Sequence, residues 1–245
     1  MQLQTLEPIE PYEKAYDIHF GQIDNRGVAR PSAFFEMAQD AATLHAYEIG
    51  LSREGLNALW VLSRVKMKLT RPLRPYEHLT VQTWCAGMKG AAWIRPFRFR
   101  VGNEPVGDAV STWALLDQTT HRIIRPQTIE QAKRYAGITV DPSLLPGKLA
   151  CESLTEHHIH PVCYSDLDVN NHVNNVKIAD IVSDGLDLNL GSDYVSAFQV
   201  NYTMESHHGD RLRILTGEEN GTRYVFGEAD GKIHFEGAAT LTPMP

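Results

Sequence analysis

Apolar residues along the first part of the chain recur with two different periods. Between Pro31 and Ile49, the residues Phe34, Ala38, Ala41, His45 and Ile49 return every three or four positions, which places them on one face of a helix. Pro31 opens that stretch and Gly50 lies just past it, the usual start and stop signals of a helix. From Trp60 to Leu69 the period falls to two: Val61, Val65, Met67 and Leu69 face one way, while Arg64, Lys66 and Lys68 face the other. That alternation predicts a half-buried strand. Further alternating runs cover Leu79–Cys85, Trp93–Val101 and Val106–Leu116.

The same order of elements then returns. A shift of 144 positions sets Phe20 on Tyr164, Ile23 on Leu167, Asp24 on Asp168 and Asp40 on Asp184. Ile178, Ile181, Val182 and Gly185 repeat the helical spacing, after Asn174 and Asn175 as candidate caps. A second strand set follows at Tyr194–Met204, with Phe198, Val200, Tyr202 and Met204 on one face, then at Leu212–Gly217, Thr222–Glu228 and Ile233–Leu241. Small residues (Ala38, Ala41, Ala42, Ala179, Gly185) would let each helix lie close to a sheet. From Pro126 to His160 the pattern lapses into a short predicted helix, Thr128–Tyr135, and a stretch broken by Pro142, Pro146 and Gly147. The expected fold is α+β: two tandem hotdog folds, each an antiparallel β-sheet wrapped around a long α-helix. The N-terminal repeat would span 1–125, a linker 126–157 and the C-terminal repeat 158–245.

Composition narrows the setting. With 42% hydrophobic and 22% charged residues, the chain has a soluble globular balance. No stretch approaches the roughly 20 apolar residues of a membrane span, and the first residues lack the basic start and apolar core of an export signal. Cys85, Cys151 and Cys163 form no CxxC pair, and an odd count argues against a closed disulfide framework, so a cytoplasmic setting is expected. A net charge of -7 argues against nucleic acid as partner. Charge is uneven, however: nine Lys or Arg residues lie from Arg64 to Arg100 against one acid, Glu77. Arg64, Lys66 and Lys68 are either the solvated face of a strand or a docking patch for an acidic partner. His157, His158, His160, His207 and His208 fall at no recognised metal-ligand spacing, so no metal or other cofactor is expected. The tryptophans Trp60, Trp84, Trp93 and Trp113 all fall in the first repeat and read mainly as core.

Chemistry concentrates in Ser165–Lys177, SDLDVNNHVNNVK, where two carboxylates, four asparagines and a histidine lead into a helix. Asn174 and Asn175 read best as caps or turn formers. Asp168, Asn170 and His172 stand at alternate positions; in an extended turn they would converge a carboxylate, an amide and an imidazole on one spot. Such a group can orient and activate a water, and the helix start can face a developing oxyanion.

The DLDVNNHVNNVK run resembles, nearly letter for letter, the signature of the plant-type acyl-acyl-carrier-protein thioesterases and their bacterial relatives, and the likeness extends over essentially the whole chain. It implies hydrolysis of fatty acyl groups from acyl carrier protein (ACP), releasing free fatty acid and terminating fatty acid synthesis. It also implies a second catalytic segment after a strand, where an acid precedes a cysteine. Here that segment reads VNYTMESHHGD, so Glu205 takes the acid's place and Ser206 stands where many members carry cysteine. A hydroxyl is far less acidic than a thiol. Water is therefore the expected nucleophile, with Glu205 and His172 as candidate bases, Asp168 orienting and Asn170 holding the substrate or its oxyanion. In the first repeat the shift puts Arg26 at the position of Asn170 and Val28 at that of His172, which leaves one active site per chain and frees that repeat to shape an acyl pocket. An acyl-CoA thioesterase, a hotdog hydratase or dehydratase, and a non-catalytic acyl-binding protein stay open, as do the monomeric and homodimeric states.

Overall fold

The computed structural model describes residues 9–129, 140–188 and 192–245; most of the helix expected over Thr128–Tyr135 lies outside these residues. The first repeat contains β1 (Tyr12–Asp17), α1 (Pro31–Glu48), the short α2 (Arg53–Leu56), β2 (Ala58–Leu69), β3 (His78–Thr83), the two-residue β4 (Met88–Lys89), β5 (Ala92–Val101) and β6 (Glu104–Asp117). The second contains β7 (Thr155–Pro161), α3 (Asn175–Asp184), β8 (Asp193–Tyr202), β9 (Arg211–Glu219), β10 (Thr222–Ala229) and β11 (Lys232–Pro243). Among the described residues the strands join into one eleven-stranded sheet in the order β1-β3-β5-β6-β2-β8-β11-β10-β9-β7, with β4 beside β5. Every pairing is antiparallel. Each half of the sheet wraps its own helix as a hotdog fold, and the halves meet edge to edge where β2 pairs β8, Val65 opposite Val200 and Met67 opposite Phe198.

Helix α1 forms where the apolar spacing requires it. Pro31 is its first residue, its ring presetting the helical φ, and Gly50 follows at φ +72, a conformation cheap for glycine alone. Phe34, Ala38, Ala41 and His45 are all buried. The two helices pack side by side in the concave sheet: Arg30 before α1 lies 3.7 Å from Asp180 of α3, and Phe35 packs on Phe198 with ring centroids 5.6 Å apart. At the end of α3, Gly185 is the C-cap, and a Cβ there would meet Val225 at 2.6 Å, so only glycine lets helix and sheet approach this closely. In the sheet, Gly227 lies opposite Phe235, whose ring covers the space that a Cβ would take.

Several expectations shift in detail. Val61 does not share the inward face of β2: the register slips between Leu62 and Arg64, so the alternation reverses, Leu62 is buried and Val61 exposed. Met204 is exposed because β8 ends at Tyr202. Strand β7 begins at Thr155, inside the expected linker. The outer strands β1 and β7 had no sequence expectation; β7 carries three histidines and a proline, a composition that suits a sheet edge. The segment after residue 140 covers the outer face of the central strands. Gly147 O accepts from Gln199 Nε2 at 2.7 Å and from Asn201 Nδ2 at 3.0 Å, which explains two buried polar residues on the strand face opposite Phe198 and Val200.

Candidate active site

The loop that leads into α3 is shaped by backbone bonds. Asp168 N–H donates to His172 O at 2.8 Å and Asn171 N–H to Asp168 O at 3.1 Å, with Asn171 at φ +61. Asp168 Oδ1 accepts from the N–H groups of Asn170 (2.8 Å) and His172 (3.3 Å). The first repeat makes the same loop: Asp24 N–H donates to Val28 O at 2.8 Å, Gly27 takes φ +78, and Asp24 Oδ1 accepts from Arg26 N–H (2.9 Å) and Val28 N–H (3.3 Å). The 144-residue shift thus survives at the level of single hydrogen bonds. What differs is the filling. Arg26 closes the first loop by pairing with Asp24 Oδ2 at 2.5 Å and donating to Asp193 O at 2.6 Å, while Val28 is buried.

The segment Asp168–His172 is accordingly a bent turn, not an extended one. Asp168 directs a carboxylate oxygen at the loop's own N–H groups, and so places His172 through its backbone. The Asn170 amide nitrogen stands 3.4 Å from Asp168 Oδ2, on an exposed loop tip. Asn174 is the N-cap of α3, its Oδ1 accepting from Val176 N–H at 2.8 Å, whereas Asn175 is the first helical residue.

Glu205 arrives from the other side, on the loop after β8. The N–H groups of Thr203 and Met204 both donate to His234 O at 3.0 Å, and Val173 N–H donates to Ser206 O at 2.8 Å. This bracing sets Glu205 Oε2 3.4 Å from His172 Nε2, with the imidazole 31% and the carboxylate 64% exposed. Just past ordinary hydrogen-bond length, the two groups lie close enough for one water at their exposed side to bond to both. Ser206 is engaged elsewhere. It is 2% exposed, and its Oγ lies 2.8 Å from Nδ1 of His234, itself buried on β11. His234 escaped the sequence reading because a lone histidine in a strand carries no spacing signal.

The basic stretch is largely committed to the fold. Arg71 pairs with Glu77 and Glu104, Arg100 with Glu13, and Arg98 lies over Trp84. Lys68 donates to Ser143 Oγ at 3.0 Å, so the segment after residue 140 touches the face that carries Arg64, Lys66 and Lys68. Trp84 and Trp93 are buried, and Trp60 packs edge-on against Trp93 at 5.1 Å. Arg95 is buried too, against Cys85 Sγ (3.1 Å) and His45 Nδ1 (3.0 Å); burial, aided by that guanidinium, pushes His45 down to about 4. A cavity of about 420 Å³ lined by Tyr12, His45, Glu48 and Ile49 opens at the end of α1. Another, of about 540 Å³, lies beside Gly185, Asp193 and Tyr224, and neither is lined by His172 or Glu205.

Residues 10–130 match the model of the acyl-ACP thioesterase N-terminal domain, and residues 150–237 that of the acyl-ACP thioesterase C-terminal domain. The palmitoyl-acyl carrier protein thioesterase, chloroplastic, of Gossypium hirsutum is 27% identical over 203 residues, which cover 73% of this chain and 48% of the relative. An oleoyl-acyl carrier protein thioesterase of Arabidopsis thaliana is 22% identical over 239 residues, covering 86% and 66%. The chain therefore spans about half to two thirds of the length of these curated relatives. Among solved structures, an acyl-ACP thioesterase from Bacteroides thetaiotaomicron superposes with a TM-score of 0.86 at 21% identity, covering 95% of this chain and 98% of that one. The 12:0-ACP thioesterase from Umbellularia californica gives 0.81 at 20% identity, covering 95% and 97%. These likenesses carry the double hotdog fold, and the two domain matches, which together take in most of the chain, make it a member of the acyl-ACP thioesterase family.

Proposed function

We propose that this chain hydrolyses the thioester of fatty acyl-ACP in the cytoplasm, releasing free fatty acid. The observation that carries the reading is the His172–Glu205 pair, held at 3.4 Å on two cross-braced loops at the start of α3. A water bonded to both groups at their exposed side loses a proton to the pair as its oxygen bonds to the thioester carbon. The carbonyl oxygen becomes anionic and meets the Asn170 amide, and collapse breaks the carbon–sulfur bond. The proton held by the pair then passes to the departing thiolate. Asp168 acts by fixing the loop that carries His172. Arg64, Lys66 and Lys68 face the acidic carrier, steering encounter without touching the reaction.

The test is side-by-side hydrolysis of one acyl group carried on ACP and on CoA, following free thiol and free acid together. Both products should appear faster from ACP, and His172→Ala and Glu205→Ala should each lose most of the turnover while remaining folded. Faster release from CoA would move the reading to a CoA thioesterase. Interconversion of 3-hydroxyacyl and enoyl thioesters without thiol release would replace hydrolysis by hydration.

A further inference from the structure

The two loops that build the site also bring together three metal-binding side chains that lie apart in sequence. His172 and His207 face each other across an isolated antiparallel bridge, and their rings stand edge to face at 4.9 Å. Glu205 Oε2 is 3.4 Å from His172 Nε2. One ligand atom from each of the three residues lies within 4.8 Å of the others. Among the described residues no other trio of histidine, cysteine or carboxylate ligands gathers so tightly. Two imidazoles and one carboxylate are one of the donor sets of three-ligand zinc sites, whose bonds of about 2.0–2.2 Å place neighbouring ligand atoms a little over 3 Å apart. The His172–Glu205 distance already meets that requirement, and the third donor, within 4.8 Å of both, sits on the exposed His207 ring.

The scaffold favours holding these ligands in place. Val173 N–H to Ser206 O ties the loops together between the two histidines, and His207 N–H donates to Asp210 Oδ2 at 2.8 Å, fixing the backbone that carries the third ligand. Exposure of Glu205 leaves the fourth coordination position open to water.

We propose that His172, Glu205 and His207 form a binding site for a divalent transition-metal ion, Zn²⁺ in particular, and that its occupancy shuts off hydrolysis by engaging the pair that activates water. The inhibitory effect rests on the proposed hydrolase reading; the binding does not. Metal-stripped protein is titrated with Zn²⁺ against a chromophoric chelator and with Co²⁺ by visible absorption, and thioester hydrolysis is followed in parallel with added Zn²⁺. One tight site with tetrahedral Co²⁺ bands is expected. His207→Ala, or His207→Gln if the alanine variant folds poorly, should weaken that site about tenfold or more, keep basal hydrolysis and lose Zn²⁺ inhibition. Equal Zn²⁺ affinity in wild type and variant would overturn the site and point to adventitious binding, for example at the contiguous His157–His158 pair. A wild-type protein that binds Zn²⁺ through His207 yet hydrolyses no thioester would sink the hydrolase reading alone.

Discussion

Replacing Ser206 by alanine separates a water mechanism from an acyl-serine one. Ser206 is 2% exposed, and its Oγ is engaged by Nδ1 of the buried His234 at 2.8 Å, not by the His172–Glu205 pair. Alanine leaves the His234 nitrogen buried without a partner. Such a group costs about 1–3 kcal/mol, and a chain of this size loses about 2–4 °C of melting temperature per kcal/mol. The melt should therefore fall by roughly 2–12 °C, while kcat falls by less than about tenfold, against the 10²–10⁴ typical of losing a general acid–base group. Ser206→Cys keeps a partner for His234 and should recover most of the lost stability. Hydrolysis is read with a thiol-reactive chromophore, folding by thermal melts, and the acyl state by intact mass after rapid quenching. An acyl adduct on Ser206, or an alanine variant as inactive as His172→Ala, would refute the water mechanism.

Asp168→Ala removes the acceptor for two loop N–H groups, so kcat should fall at least about a hundredfold; Asp168→Asn, which keeps an acceptor oxygen, should recover part of the rate in steady-state kinetics. Lys68→Glu should raise KM for ACP and flatten its dependence on salt with kcat unchanged, as measured across an ionic-strength series. His45, 2% exposed, is held neutral in the fold with its value pushed down to about 4, by burial first and the Arg95 charge second. The unfolded chain then binds more protons between about pH 4 and 6.5, so stability falls as pH drops through that window, by up to about 3 kcal/mol. Thermal melts from pH 7 down to 4.5 should show that slope, and His45→Gln should flatten it. Gly227→Ala would drive a Cβ to 2.2 Å from the Phe235 ring and should cost about 1–3 kcal/mol in denaturant titrations.

The parts of the fold that were legible before the structure are those where one physical rule acts alone. The face of α1 and the repeat of Asp24 at Asp168 follow from local spacing and turn chemistry, and the two loops repeat each other bond for bond. Val61 was misplaced because a bulge is set by pairing with β6, which the alternation along β2 cannot register. The outer strands were missed because edge position tolerates polar residues that blur the period. At the site, Asp168 and His172 could be read from one short segment. Glu205 needed the family resemblance, and His234 and the His172–His207 approach depend on strands brought together only by folding.

The ladder between β2 and β8, Arg64–Lys68 against Asn201–Ala197, also governs what happens when the chain is divided. A nick between the repeats leaves that ladder intact, so the fragments stay together as one particle. Expressed apart, each repeat would instead present a row of unpaired backbone groups flanked by bulky apolar residues such as Met67 or Phe198, a ready template for another strand. Because the repeats share one architecture, each bare strand suits a second copy of its own half about as well as its native neighbour. Covalent linkage thus serves as chaperone and as selector of partner, supplying the right edge at high local concentration before the wrong one can arrive.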